Sequence, residues 1–181
     1  MAPPGLVIVR DIVTTPSSIL VGSVNRTVWV KVDGRGTFQN SAGLKEFVNQ
    51  MIRRGHREFV VDLAGCELMD STFMGTLAGV ALRLREIGQG GLKAVNANPR
   101  NSSLLENLGL DHLFSVESGQ PVAAPATLHA AGEDVAVADT KDNVLAAHEA
   151  LIAADEHNAV KFKDVVDYLR QELGQDPGKD D

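Results

Sequence analysis

The chain has 181 residues, 44% of them hydrophobic and 23% charged, a length that supports one full core plus a small annex rather than two full-sized domains. Its formal net charge of −7 argues against a nucleic-acid partner, and the single cysteine, Cys66, excludes an internal disulfide or a cysteine-based zinc cage. The start lacks a secretory leader's basic and long apolar regions, and no stretch approaches the roughly 20 apolar residues that span a bilayer, so the expectation is a cytoplasmic protein with no membrane insertion.

Residues 6–9 and 19–21 are short β-like runs, separated by a turn-rich stretch at 14–18 that predicts a hairpin connection. They form an N-terminal β extension over residues 1–23, placed at an edge or as a lid. Residues 27–32 alternate, with Val28, Val30 and Val32 on one side and Trp29 and Lys31 on the other, as a half-buried strand requires. The strand is expected to end in the turn Asp33-Gly34-Arg35-Gly36.

Asn40 or Ser41 is placed to cap the next helix, whose Leu44, Phe47, Val48, Met51 and Ile52 fall on one face before Gly55 stops it. An apolar strand at 59–63 leads, through a loop holding Cys66, to a helix bearing Phe73, Leu77, Val80, Ala81 and Leu84 and ending at Gly88. A third strand at 92–96, a helix opened by Asn98-Pro99, and a closing strand at 113–116 complete the run. Strands alternating with helices through short connections predict an α/β fold with a mostly parallel sheet covered by helices.

Residues 118–139 shift to Ala, Pro and Gly and read as a linker, with Val135 and Val137 in a brief edge strand. Two helical patterns follow over 140–173: Val144, Leu145, His148, Leu151 and Ile152, then Phe162, Val165, Val166 and Leu169, joined at Glu156-His157-Asn158 as a helical hairpin. Its apolar stripes must bury against the main domain, a second copy of the chain (a homodimer through these helices) or a partner. Residues 174–181 are polar and expected to be disordered.

Chemistry concentrates where the second main helix begins. Asp70, Ser71 and Thr72 stand at its positive end, where unpaired N–H groups would meet an added phosphate. Ser71 is either a phosphoacceptor or a serine that merely satisfies the helix start, with Thr72 as the second acceptor or simply another hydroxyl. Asp70 caps the helix, with or without shaping a recognition surface. Gly75 and Gly79 leave a bare strip of backbone that serves docking or close packing, and Met74, Ala78 and Leu82 form a second apolar row suited to core or partner contact. Phe38 and Asn40 belong either to a partner surface at that end of the sheet or to an ordinary loop.

The five histidines lack paired ligand spacing, so no metal site is expected. His148, on an apolar helical stripe, reads as a hydrogen-bonded core or interface imidazole. With no nucleophile elbow, phosphate loop or dinucleotide fingerprint, the sequence offers no catalytic residue and no cofactor site.

The run Phe59-Val60-Val61-Asp62-Leu63-Ala64-Gly65-Cys66, followed by Met69-Asp70-Ser71-Thr72-Phe73-Met74-Gly75, resembles the STAS domain of anti-sigma-factor antagonists, over residues 24–117. The resemblance implies a four- to five-stranded sheet and a binding protein rather than an enzyme. It also implies partners: an anti-sigma factor that doubles as a serine kinase and phosphorylates Ser71, and a serine phosphatase that resets it. The kinase would bring ATP, so the chain needs no cofactor. Phosphorylation would add about −1.5 to −2 charges beside Asp70. Two unit charges 4 Å apart repel by roughly 4 kcal/mol at an effective dielectric of about 20, ample to release a partner. A scaffold subunit of a signalling or transport assembly, without phosphotransfer, is the alternative, and a small-ligand or nucleotide-binding domain ranks last.

Overall fold

Val28, Val30 and Val32 are sealed in the interior while Trp29 and Lys31 stay half-buried, and this alternation builds the strand from which the sheet extends. In the computed structural model, which describes residues 17–119, 121–130 and 139–175, that strand is β2 (Thr27–Gly36). It pairs antiparallel with β1 (Ser18–Val24) and parallel with β3 (Glu58–Asp62). β3 pairs parallel with β5 (Gly91–Val95), and β5 with β6 (Ser115–Glu117). The two-residue β7 (His129–Ala130) adds to the free edge of β1, and β4 (Cys66–Met69) pairs with the far end of β2. The sheet is mixed, in the order β6-β5-β3-β2-β1-β7, and exceeds the expected four to five strands through the short β4 and β7.

Several local expectations are revised. Residues 19–21 lie in β1, hydrogen-bonded along β2 with only the two-residue β7 beyond, and the chain turns between β1 and β2 at Asn25 and Arg26, both at positive φ as a two-residue hairpin requires. The stretch Asp33-Gly34-Arg35-Gly36 does not end β2 but continues it onto β4, with a register shift between Gly34 and Arg35. Gly36 is needed there, because a Cβ would stand 2.6 Å from the Phe73 ring. Cys66 opens β4 rather than sitting in a loop. Residues 6–9, Val135, Val137 and residues 176–181 lie outside the described part of the chain.

Helix α1 (Phe38–Arg53) is capped by Thr37, not by Asn40 or Ser41; Asn40 sits in its first turn, where its Oδ1 accepts the Thr37 N–H at 2.9 Å and closes a capping box. α2 (Ser71–Ile87) buries Phe73, Leu77, Val80, Ala81 and Leu84 and ends at Gly88, whose φ of 75° closes the last turn. α3 (Pro99–Asn107) is capped by Asn98 and leads through a 3-10 turn (Leu110–His112) into β6. Asn98 and Asn101 both donate side-chain N–H to the Cys66 carbonyl, at 3.1 and 2.9 Å, which anchors the start of α3 to β4.

The C-terminal hairpin consists of α4 (Asp139–Ala154) and α5 (Asn158–Glu172). Of the three destinations left open for its apolar stripes, the chain uses its own main domain: α4 lies along α2 and α1, and Leu151 is sealed in the main core. Leu145, Val166 and Leu169 form a smaller core between the two helices. Arg170 clasps Glu149, its Nη2 at 2.7 Å, and Lys141 reaches Glu172 at 3.1 Å.

Candidate functional site

The site begins where the β2–β4 ladder stops. The Asp70 N–H donates to the Gly36 carbonyl at 2.9 Å, which fixes Asp70 in extended conformation just before α2. Its carboxylate then serves two helices: Oδ1 accepts the Phe73 N–H of α2 and Oδ2 the Phe38 N–H of α1, each at 2.8 Å. A carboxylate suits this place because both helix starts present unpaired donors and partial positive charge.

Ser71 is the first residue of α2, and its side chain is partly buried. Its Oγ lies 3.0 Å from Nε2 of His148 on α4. The other ring nitrogen, Nδ1, lies 2.7 Å from the Val144 carbonyl oxygen, which can only accept. Nδ1 therefore carries the proton, and in the neutral ring Nε2 accepts the Ser71 hydroxyl proton. His148 is only 4% exposed and meets the Phe162 ring edge-on with centroids 5.2 Å apart. The imidazole expected in a core or interface is thus held on three sides, and the hydroxyl it holds is the candidate phosphoacceptor.

One turn further along, the glycine strip is occupied. Gly75 faces Ala147 of α4 so closely that a Cβ would overlap the Ala147 carbonyl, and Gly79 faces the Ala150 methyl at 3.7 Å from where its own Cβ would be. The missing side chains let α4 approach the backbone of α2. Of the alternatives open for Met74 and Gly75, core or partner contact for the one and docking or close packing for the other, the folded chain shows packing: both are buried, Met74 in the main core. Thr72 is buried as well, which removes its hydroxyl from the surface.

Phe38 stands apart from these. It is 46% exposed next to Asp70, a large apolar ring left in solvent at the start of α1. Asn40, beside it, is engaged in holding the loop: Oδ1 on Thr37 and Nδ2 on the Arg35 carbonyl at 2.9 Å. The surface end of the site therefore comprises Phe38, the edge of Asp70 and the partly covered Ser71. The Ser71–His148 contact joins residues 77 apart, and no local pattern announces it; the one available signal is an imidazole on an otherwise apolar stripe.

Among the described residues no group of three or more His, Cys, Asp or Glu side chains is placed to hold a metal ion. Burial pushes the Cys66 thiol above its ordinary pKa, which disfavours the reactive thiolate. Among the described residues no helix is long and apolar enough to cross a membrane.

A family model described as "Mlab, STAS domain" matches residues 19–116. A search of the curated proteins finds no sequence match. Among solved structures, the chain is similar to the anti-sigma factor antagonist SpoIIAA of Bacillus in its unphosphorylated form, at 18% identity and a TM-score of 0.50 over 56% of this chain and 89% of that one. It is also similar to an anti-sigma factor antagonist from Mycobacterium paratuberculosis, at 21% identity and a TM-score of 0.50 over 56% of this chain and 85% of that one. At these identities the likeness is one of fold.

Proposed function

This chain belongs to the STAS-domain family, and from that premise we propose that it is a cytoplasmic regulatory binding module, an anti-sigma-factor antagonist switched by phosphorylation of Ser71. The observation that supports the reading is the position of Ser71: a hydroxyl immediately after the capping Asp70, at the positive end of α2, on the same sheet end as the exposed Phe38. The unmodified chain would bind an anti-sigma factor with kinase activity, and a phosphate on Ser71 would repel that partner through charge placed beside Asp70. A phosphatase would restore binding. The chain itself would transfer no group and need no cofactor. Thr72, buried, is the weaker acceptor.

Phosphopeptide mass spectrometry of the chain isolated from its native cells, grown through exponential, stationary and stress conditions, tests this. The expected result is phosphate on Ser71, lost in Ser71→Ala. Phosphate on neither Ser71 nor Thr72 in any condition overturns the switch.

A scaffold role without phosphotransfer is the second reading, and α5 favours it: Val160 is 93% exposed and Tyr168 61%, an apolar surface suited to a second copy or a fixed neighbour. Light scattering distinguishes the two. A stable oligomer that Ser71→Glu leaves intact supports scaffolding.

A further inference from the structure

Resting on the assignment of Ser71 as the modified residue, we infer that the α4–α5 hairpin is a releasable cover on that site, so that modifying Ser71 and uncovering the glycine strip of α2 are one coupled event. Three observations carry it. The Ser71 hydroxyl is hydrogen-bonded to His148 in the middle of α4, and His148 is enclosed by Phe162 and the Val144 carbonyl. The strip at Gly75 and Gly79 is filled by Ala147 and Ala150 of the same helix. The hairpin is held together by its own small core of Leu145, Val166 and Leu169, while Leu151 is its anchor in the main core.

A phosphate cannot be added while this contact stands. Transfer from a nucleoside triphosphate makes an Oγ–P bond and breaks the bond from that phosphorus to the departing diphosphate. The hydroxyl proton, held against Nε2 of His148 in the closed form, must leave to the transferring enzyme's base. Esterified, Ser71 has no proton to donate, and a tetrahedral phosphoryl group takes the 3.0 Å gap that now separates Oγ from the ring. His148 must give way, and because the ring is 4% exposed, with Phe162 edge-on against it and Nδ1 held on the Val144 carbonyl, it has no open space to turn into and α4 moves with it. Opening therefore precedes modification, and modification holds the cover open.

Hydrogen–deuterium exchange on the full chain tests the device without any kinase. Phosphoserine is placed at position 71 by genetic encoding, with Ser71→Ala as control. The expected result is at least tenfold faster exchange across α4 and α5, about 1.4 kcal/mol in opening free energy, with β2 and β3 unchanged. Ser71→Ala, which loses one hydrogen bond and adds no bulk, should change α4 by less than about threefold. Unchanged protection of α4 with phosphoserine overturns the proposal, as does loss of protection in β2 and β3 together with α4. The outcome is separable from the cellular phosphorylation test: a cover that opens with encoded phosphoserine stands even where cells leave Ser71 unmodified, and phosphate found in cells does not rescue a cover that stays shut.

Discussion

Gly75 of α2 and Ala147 of α4 meet backbone to backbone, with the Ala147 carbonyl occupying the place a Cβ on Gly75 would take. The residue type at position 75 thus decides whether the C-terminal hairpin reaches the main domain. Gly75→Ala should force the helices apart and destabilise the docked state by about 1–3 kcal/mol, the usual cost of overpacking a close contact. The effect should localise. Limited proteolysis should cut α4–α5 faster while the residues of β2 and β3 stay protected; equal cutting in the variant and the parent would show that the contact does not govern docking.

Asp70 joins two helices that the sequence links by nothing. Its carboxylate accepts from Phe73 and from Phe38, so Asp70→Ala orphans a donor in α2 and another in α1 at once. Loss of a helix cap alone costs about 0.5–2 kcal/mol, and the second bond places the expected cost near or above the upper end of that range, about 2 kcal/mol. Asp70→Asn keeps one side-chain oxygen and should fall between. Urea denaturation measures both, and an Asp70→Ala variant within about 0.5 kcal/mol of the parent would show that these bonds contribute nothing net.

What the sequence revealed about this site follows from range. α2 was legible from end to end because its determinants are local: the 3.6-residue period of Phe73, Leu77, Val80 and Leu84, the cap at Asp70 and the stop at Gly88. The hairpin of α4 and α5 was legible for the same reason. β4 was missed because the four residues Cys66, Glu67, Leu68 and Met69 show no clear alternation and are too few to stand out from a loop. The cap of α1 was displaced to Asn40 because Asn is as good a cap as Thr; only the extended backbone of Thr37 decides between them. Whether the glycine strip and the Met74 row serve docking or packing was not legible, for a tertiary reason: a periodic pattern says which face of a helix is apolar and not what will cover it. His148 on Ser71 belongs to the same class: it depends on the docking of two elements 77 residues apart.

Asn158, at the start of α5, fastens the hairpin from its other end. Its Nδ2 donates to the Leu108 carbonyl at 2.9 Å and to the Leu151 carbonyl at 2.8 Å, in a site only 1% exposed. Asn158→Ala leaves both carbonyls without this donor, and a buried unsatisfied group costs about 1–3 kcal/mol. Asn158→Asp should be worse, because it turns a negative oxygen toward two acceptors. Thermal unfolding should rank the parent above Asn158→Ala and Asn158→Ala above Asn158→Asp; a reversed order for the two variants would mean that the amide's donor role is not what matters.

The turn between α4 and α5 carries a pH dependence with a definite sign. Asp155 Oδ1 accepts both the His157 N–H, at 2.9 Å, and the His157 Nδ1–H, at 2.8 Å. The His157 N–H and ring hold the Asp155 carboxyl below its ordinary value, and the hydrogen bond to Asp155 raises the His157 imidazole above its own. A raised histidine stabilises the fold fully below its unfolded value, about 6.5, and loses that contribution as pH rises through the higher folded value; a lowered carboxyl contributes above about 3.9 and loses its share as pH falls through the lower folded value. The pair therefore supports the turn most between about pH 4 and pH 6.5. Both groups sit at the surface, so the effect should be small and weakened by salt. Melting temperatures of the parent and His157→Ala, measured from pH 4.5 to pH 9 at low ionic strength, should differ most at the acid end of that interval and converge toward its alkaline end. A gap that widens above pH 7 would mean that the imidazole acts there as a neutral hydrogen-bonding ring rather than as a cation.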